Sequence, residues 1–178
     1  MTTPLRTLDD AFSLARAGNK PAFEQLVIEN ERLVLRTAWR LLGRREDAQD
    51  AAQEVFLRLY KNIVKIRDDS TVEAWLYRVT VNVCQDVRRK IGAQPTGSFV
   101  DRGEPATHDQ AIEMDQVMAF IAELPDKERA ALVLRELEGL STGEVAAALG
   151  SSAATVRSQI SSARAKLKAW FGERNNRR

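Results

Sequence analysis

The run LSTGEVAAALGSSAATVRSQISSARAKL, Leu140 to Leu167, places two short helical patterns on either side of a glycine. Ser141 and Glu144 have the spacing of a capping box, and Leu140 with Val145 can supply the hydrophobic staple across it. Gly150 can adopt the left-handed backbone that a tight turn needs, and Ser152 can cap a second helix beyond it. Ala146 is small where a neighbouring helix must come close, and Val156 can plug a core shared by the two helices. This is the plan of a helix-turn-helix, whose second helix enters a DNA major groove. On that helix Val156, Ile160, Ala163 and Leu167 line the core side, and Arg157, Ser158, Ser161, Ser162 and Lys168 point broadly the other way. Arg reads guanine edges or pairs with phosphates, and Ser donates to either.

Charge distribution points in the same direction. The 178 residues carry a formal net charge of only +2. Residues 113–152 hold three Lys/Arg against eight Asp/Glu, whereas residues 153–178 hold seven Lys/Arg against one Glu. A cationic segment directly after an acidic one is an electrostatic footprint for a polyanion.

Upstream the pattern stays helical, with no alternating strand signal. Asn19 can cap a helix that opens at Lys20 and Pro21, runs to Leu42 and stops at Gly43. A second helix is expected from about Glu46 to Ile63, with Ala48, Ala52, Val55, Leu59 and Ile63 on one face. A third runs from about Val72 to Lys90 and buries Leu76, Val79, Val83 and Val87. Gly92, Pro95, Gly97, Gly103 and Pro105 then interrupt the periodicity, which reads as a linker. Beyond it Ile112 to Leu124 is amphipathic, Pro125 ends that helix, and three more helical segments follow. The expected fold is all-α: two small helical domains, residues 1–91 and 112–178, joined by a flexible linker over residues 92–111. Trp39, Trp75 and Trp170 are placed to anchor the cores.

Composition narrows the function classes. Hydrophobic residues at 44% and charged residues at 29% describe globular material. No apolar run reaches the ~20 residues of a membrane span, and Met1 to Asp10 lacks a secretory signature. Cys84 is the only cysteine, so no internal disulfide forms, and a cytoplasmic protein without direct membrane insertion is expected. His108, the only histidine, falls in the linker. There is no phosphate-cradling glycine loop, metal-ligand cluster or nucleophile elbow, so no catalytic residue, metal, cofactor or small-molecule substrate is expected.

The first half carries two further faces. Asp47, Asp50, Gln53, Glu54 and Arg58 form a polar side on the second helix, with Phe56 and Leu57 flanking its core stripe. The third helix sets Arg78, Asn82, Gln85 and Arg89 on one face, with Trp75 and Tyr77 near its start. Basic and amide groups beside aromatics suit single-stranded nucleic acid, whose bases stack and whose phosphates need cations.

These residues carry a resemblance. Arg44 to Arg58 (RREDAQDAAQEVFLR) resembles the polymerase-binding helix of extracytoplasmic-function (ECF) sigma factors. Trp75 to Val83 (WLYRVTVNV) resembles that family's promoter-melting helix, and Leu134 to Ser141 (LRELEGLS) resembles the entry to its second DNA-binding domain. With Thr155-Val156-Arg157-Ser158, the likeness extends from about Ala22 to Leu167. It implies a sigma factor that binds core RNA polymerase and promoter DNA and is held in check by an anti-sigma factor. Asp50, Gln53 and Glu54 would dock on the clamp helices of the polymerase largest subunit, and the second domain on the flap of the second-largest subunit. Ile66 and Arg67, in the loop Ile66–Glu73, would contact the unpaired minus-ten strand together with Arg78, Asn82, Gln85 and Arg89. Arg157, Ser158, Ser161, Ser162 and Arg164 would meet the minus-thirty-five element as duplex. Gln159, Ser161 and Ser162 stand where many relatives carry Arg, His or Phe, and Arg, which implies a distinctive or weak minus-thirty-five preference. Two alternatives use the same residues: a plain helix-turn-helix regulator that does not recruit polymerase, and a sigma mimic that occupies an inhibitor.

Overall fold

The computed structural model describes residues 8–66, 71–91 and 108–175, and among them every regular element is helical. Helix α1 (Leu8–Arg16) was not foreseen; it buries Ala11 and Ala15 in a small cluster with Ala22, Leu26 and Ile63. Helix α2 (Lys20–Leu42) begins and ends where local chemistry dictates. Asn19 Oδ1 accepts from the Ala22 amide at 2.9 Å, and Gly43 closes the helix at φ 73°, a conformation costly for any residue with a Cβ. Helix α3 (Arg45–Asn62) continues as one tight turn, Ile63–Lys65, and buries the expected stripe Ala48, Ala52, Val55, Leu59 and Ile63.

Helix α4 (Val72–Ile91) is buried on more than the single stripe expected. Leu76 and Val83 are in the core, but Val79 and Val87 are only half-buried, while Tyr77, Thr80, Val81 and Cys84 are covered. The reason is packing from several sides: α4 lies against α2 and α3 and also against a helix of the second half.

That second half opens with α5 (His108–Glu123), so residues 108–111 of the expected linker are helical and residues 92–107 lie outside the described residues. Pro125 starts α6 (Asp126–Leu132). The buried Arg129 turns back to α5: Nε donates to the Ile121 carbonyl at 2.7 Å, and Nη2 to those of Ala122 and Leu124, both at 2.5 Å. A helix C-terminus leaves such carbonyls short of backbone partners, and of the three only that of Ile121 also accepts from a backbone amide, Leu124 at 3.2 Å. The chain then widens into a π-helical turn, Val133–Leu137, closed by the Glu138 amide on the Val133 carbonyl at 3.0 Å. Helices α7 (Thr142–Leu149) and α8 (Ala153–Asn175) complete the fold.

The two helical halves do not stand apart. One apolar core runs from Leu41, Leu76 and Val81 through to Leu134, Val145 and Val156. Helix α7 lies on α4, while α5 and the π turn lie on α2. Trp39, Trp75 and Trp170 are half-buried at its edges.

Candidate nucleic-acid interface

The helix-turn-helix is built as its sequence demands. Ser141 Oγ accepts from the Glu144 amide at 3.2 Å, and Glu144 Oε2 accepts from the Ser141 amide at 2.7 Å. The hydrogen bonds to Ser141 hold the Glu144 carboxyl below its usual range. Gly150 turns the chain at φ 59°, and Ser152 Oγ accepts from the Thr155 amide at 3.0 Å to start α8. Val156, Ile160 and Ala163 are buried, and Leu167 is half-buried.

On the outer side of α8, Arg157, Ser158 and Ser161 are exposed. The other two expected residues of this face are engaged elsewhere. Ser162 Oγ donates to Glu128 Oε1 of α6 at 3.1 Å, and Lys166 Nζ donates to both oxygens of the same carboxylate, at 2.9 and 2.8 Å. Ser162 is thus half-buried with its hydroxyl engaged within the protein, so it is less free than Ser158 and Ser161 to meet DNA. Arg164 remains largely exposed but pairs with Glu136 at 2.6 Å, so a phosphate would have to compete with that carboxylate.

On α4, Arg78 and Asn82 are exposed and one turn apart. Arg89 is exposed and bonded to Asp86. Gln85 is half-buried, at the rim of a small cleft between the two halves that Cys84, Arg88, Asp126 and Ala130 also line. Ile66 is corrected: at 3% exposure it belongs to the core and offers no surface to a strand. Arg67 lies outside the described residues. Tyr77, expected beside the basic face, is buried with its hydroxyl 3.4 Å from Glu138 Oε2. Burial pushes its phenol up to about 12.

On α3, Asp50 and Gln53 are exposed, and half-exposed Glu54 accepts from Arg58 Nε at 2.7 Å. Asp50 and Gln53 edge an open groove between α2 and α3 floored by Phe23, Val27, Leu35 and Phe56. Leu57 and Tyr60, which also line it, are 52% and 63% exposed and add apolar surface to the groove.

Sequence reasoning missed Glu138. Its side chain is fully buried, yet it is the partner of Arg36 Nη2 at 2.7 Å and Arg40 Nη1 at 2.8 Å, both from α2. The Glu138 hydrogen bond raises the Arg36 pKa above its usual value. No local pattern announces it, because its partners lie about a hundred residues upstream. Burial raises the Cys84 thiol well above its normal range, leaving it protonated and inert. Among the described residues no cluster of His, Cys, Asp and Glu could hold a metal ion, and no helix is long and apolar enough to cross a membrane.

Comparison with known proteins gives these faces a family. Residues 26–93 match Sigma-70 region 2, and residues 114–167 match Sigma-70, region 4. The ECF RNA polymerase sigma factor SigM of Mycobacterium tuberculosis is 35% identical over 161 residues, 89% of this chain and 82% of that protein. The ECF RNA polymerase sigma-E factor of Escherichia coli is 31% identical over 83% of this chain and 85% of its own length. The ECF sigma factor SigE of Mycolicibacterium smegmatis is 33% identical over 88% of this chain, which spans 64% of that relative's length. Among solved structures, CnrH in complex with the cytosolic domain of CnrY superposes with a TM-score of 0.72 at 28% identity, covering 93% of this chain and 97% of that one. With both regions present in order and the helix-turn-helix in the second, this chain belongs to the ECF group of RNA polymerase sigma factors.

Proposed function

We propose that this chain binds core RNA polymerase through the α2–α3 groove and directs it to promoters by reading two DNA elements with two different helices. Asp50, Gln53 and Glu54 present carboxylates and an amide beside exposed apolar surface, a combination suited to the clamp helices of the polymerase largest subunit. The second half would rest on the flap of the second-largest subunit. Arg78 and Asn82, joined by Arg89 and Gln85, hold the unpaired minus-ten strand. Arg157, Ser158 and Ser161 meet the minus-thirty-five duplex, with Arg164 reaching phosphate if it leaves Glu136. The first domain ends near residue 91 and the second begins at His108, which shortens the connecting segment from the expected 92–111. The polymerase supplies the chemistry, and this chain supplies positioning.

The observation that carries this reading is the separation of roles along the chain. An acidic and apolar groove stands on α3, a basic and amide face on α4, and an exposed Arg157-Ser158 pair on the second helix of the helix-turn-helix. A regulator that only binds duplex DNA leaves the first two unused. A fold neighbour, the sigma factor RpoE of Bartonella quintana, was solved with the anti-sigma factor NepR, and this supports control of the present chain by an anti-sigma factor.

Size-exclusion chromatography with core polymerase tests the reading. Co-migration that weakens in Gln53→Ala/Glu54→Ala is the expected result. No co-migration at micromolar concentration would move the chain to the mimic or the plain regulator.

A further inference from the structure

We propose that Glu128 and Glu136 are resident counter-ions of α8, two carboxylates that duplex phosphates must displace and that thereby limit how tightly this chain holds DNA of arbitrary sequence. Glu136, in the π turn, accepts from Arg164 Nη2 at 2.6 Å. Glu128, in α6, takes Lys166 Nζ on both oxygens, at 2.9 and 2.8 Å, together with the Ser162 hydroxyl. Both carboxylates come from the acidic stretch 113–152 and both cations from the basic stretch 153–178, so the fold lays one charge block over the other. Among the described residues these two are the ion pairs of α8, and Arg157 and Lys168 are left without a carboxylate.

Placement around the helix gives the pairs a role. At about 100° per residue, Arg164 and Lys166 stand roughly 200° apart on α8. Arg157, Ser158, Ser161 and Lys168 fall between them on the exposed side. A helix about 10–12 Å thick fills a major groove about 12 Å wide, so its two flanks meet the phosphate walls. Each flank of α8 thus carries a cation already held by a carboxylate, and each carboxylate stands where a phosphate would come. Neither pair is sunk in the core: the Arg164 side chain is 62% and that of Lys166 46% exposed, so phosphate can exchange with both.

Sequence-independent binding is almost wholly electrostatic, and it is therefore the mode that these pairs suppress. Base-edge contacts from Arg157 and Ser158 are not touched by them. The assignment rests on the reading of α8 as the duplex-binding helix.

Fluorescence anisotropy of the full chain with a labelled random-sequence duplex two helical turns long, taken over a salt series, tests it. Glu136→Gln and Glu128→Gln keep the side-chain shape and remove the charge. Each is expected to steepen the slope of log affinity against log salt by about 0.9, a gain of roughly 3.5-fold for every fourfold dilution of salt, and the double variant should add the two. Arg164→Gln placed in the Glu136→Gln background should cancel that variant's gain. Glu24→Gln, the same charge change at an exposed position of α2, should behave as the parent does. Equal steepening in Glu24→Gln overturns the proposal, as does an unchanged slope in both Glu128→Gln and Glu136→Gln. Weaker binding with a lower Tm and no change of slope overturns it too, because the pairs would then only brace α8. Failure of every chain to bind duplex at low salt strikes the reading of α8 itself, and the proposal falls with it.

Discussion

Arg129 Nε donates a 2.7 Å hydrogen bond to the carbonyl of Ile121, tying the first residue pair of a three-carbonyl cap that joins α6 to the end of α5. Burial, more than any charge, lowers this guanidinium to about 10. Arg129→Met fills a similar volume but strands the Ala122 and Leu124 carbonyls, while that of Ile121 keeps the Leu124 amide at 3.2 Å; each buried group left without a partner costs about 1–3 kcal/mol. The expected loss is roughly 3 kcal/mol, a fall of about 6–12 °C in Tm for a chain of this size. Thermal melting followed by circular dichroism checks it, and a change under 2 °C would show that water replaces the cap without cost.

Ser141→Ala should lower Tm by roughly 2–4 °C at neutral pH by removing the cap of α7. It should also change the acid response. The Glu144 carboxyl is lowered in the folded chain, so its contribution is present above its unfolded value of 4.5 and lost as pH falls through the folded one. Urea denaturation at pH 7 and pH 3 should show a smaller acid-side decline in the variant.

Arg157→Ala should weaken binding to minus-thirty-five duplex by about 1–3 kcal/mol. Ser162→Arg should leave the dependence of affinity on salt unchanged, because position 162 faces Glu128. Fluorescence anisotropy across a salt series measures both. A slope steeper by about one in Ser162→Arg would place this residue against the phosphate backbone after all.

Asn82→Ala should slow promoter opening roughly tenfold, a loss of the size expected for one contact to an unpaired base. Supplying a pre-melted minus-ten bubble should restore most of the rate, since the variant keeps its polymerase groove. Equal loss on both templates would mean that Asn82 serves some step other than melting.

Cys84 should react with a thiol reagent at pH 8 on the order of a hundredfold more slowly in the native chain than in urea, because burial keeps it protonated. Fast native labelling would contradict its place in the core.

The helix ends were legible because their causes are local. Asn19, Gly43, Ser141 and Gly150 each act on backbone within a few residues, and the structure uses all of them as the sequence suggests. Ile66, Tyr77 and Ser162 were read by their neighbours in sequence, but their surroundings come from elsewhere. Ile66 joins a core assembled from several helices, Tyr77 meets a carboxylate 61 residues later, and Ser162 meets one 34 residues earlier. Helix α1 was missed although Ala11 and Ala15 do gather on one buried side; at nine residues it is short, and what covers it comes from α2 and the turn after α3. The closure of one half on the other has no sequence signal at all, since Arg36, Arg40 and Glu138 look like ordinary surface charges until the π turn brings them together.

Arg40 and Glu138 are 98 residues apart. At about 5–20 residues per second, a ribosome takes roughly 5–20 s to travel from one codon to the other. Throughout that interval the first half is made and its two arginines have no carboxylate to grip. The tie between the halves therefore forms late, after the first half has had seconds in which to fold by itself.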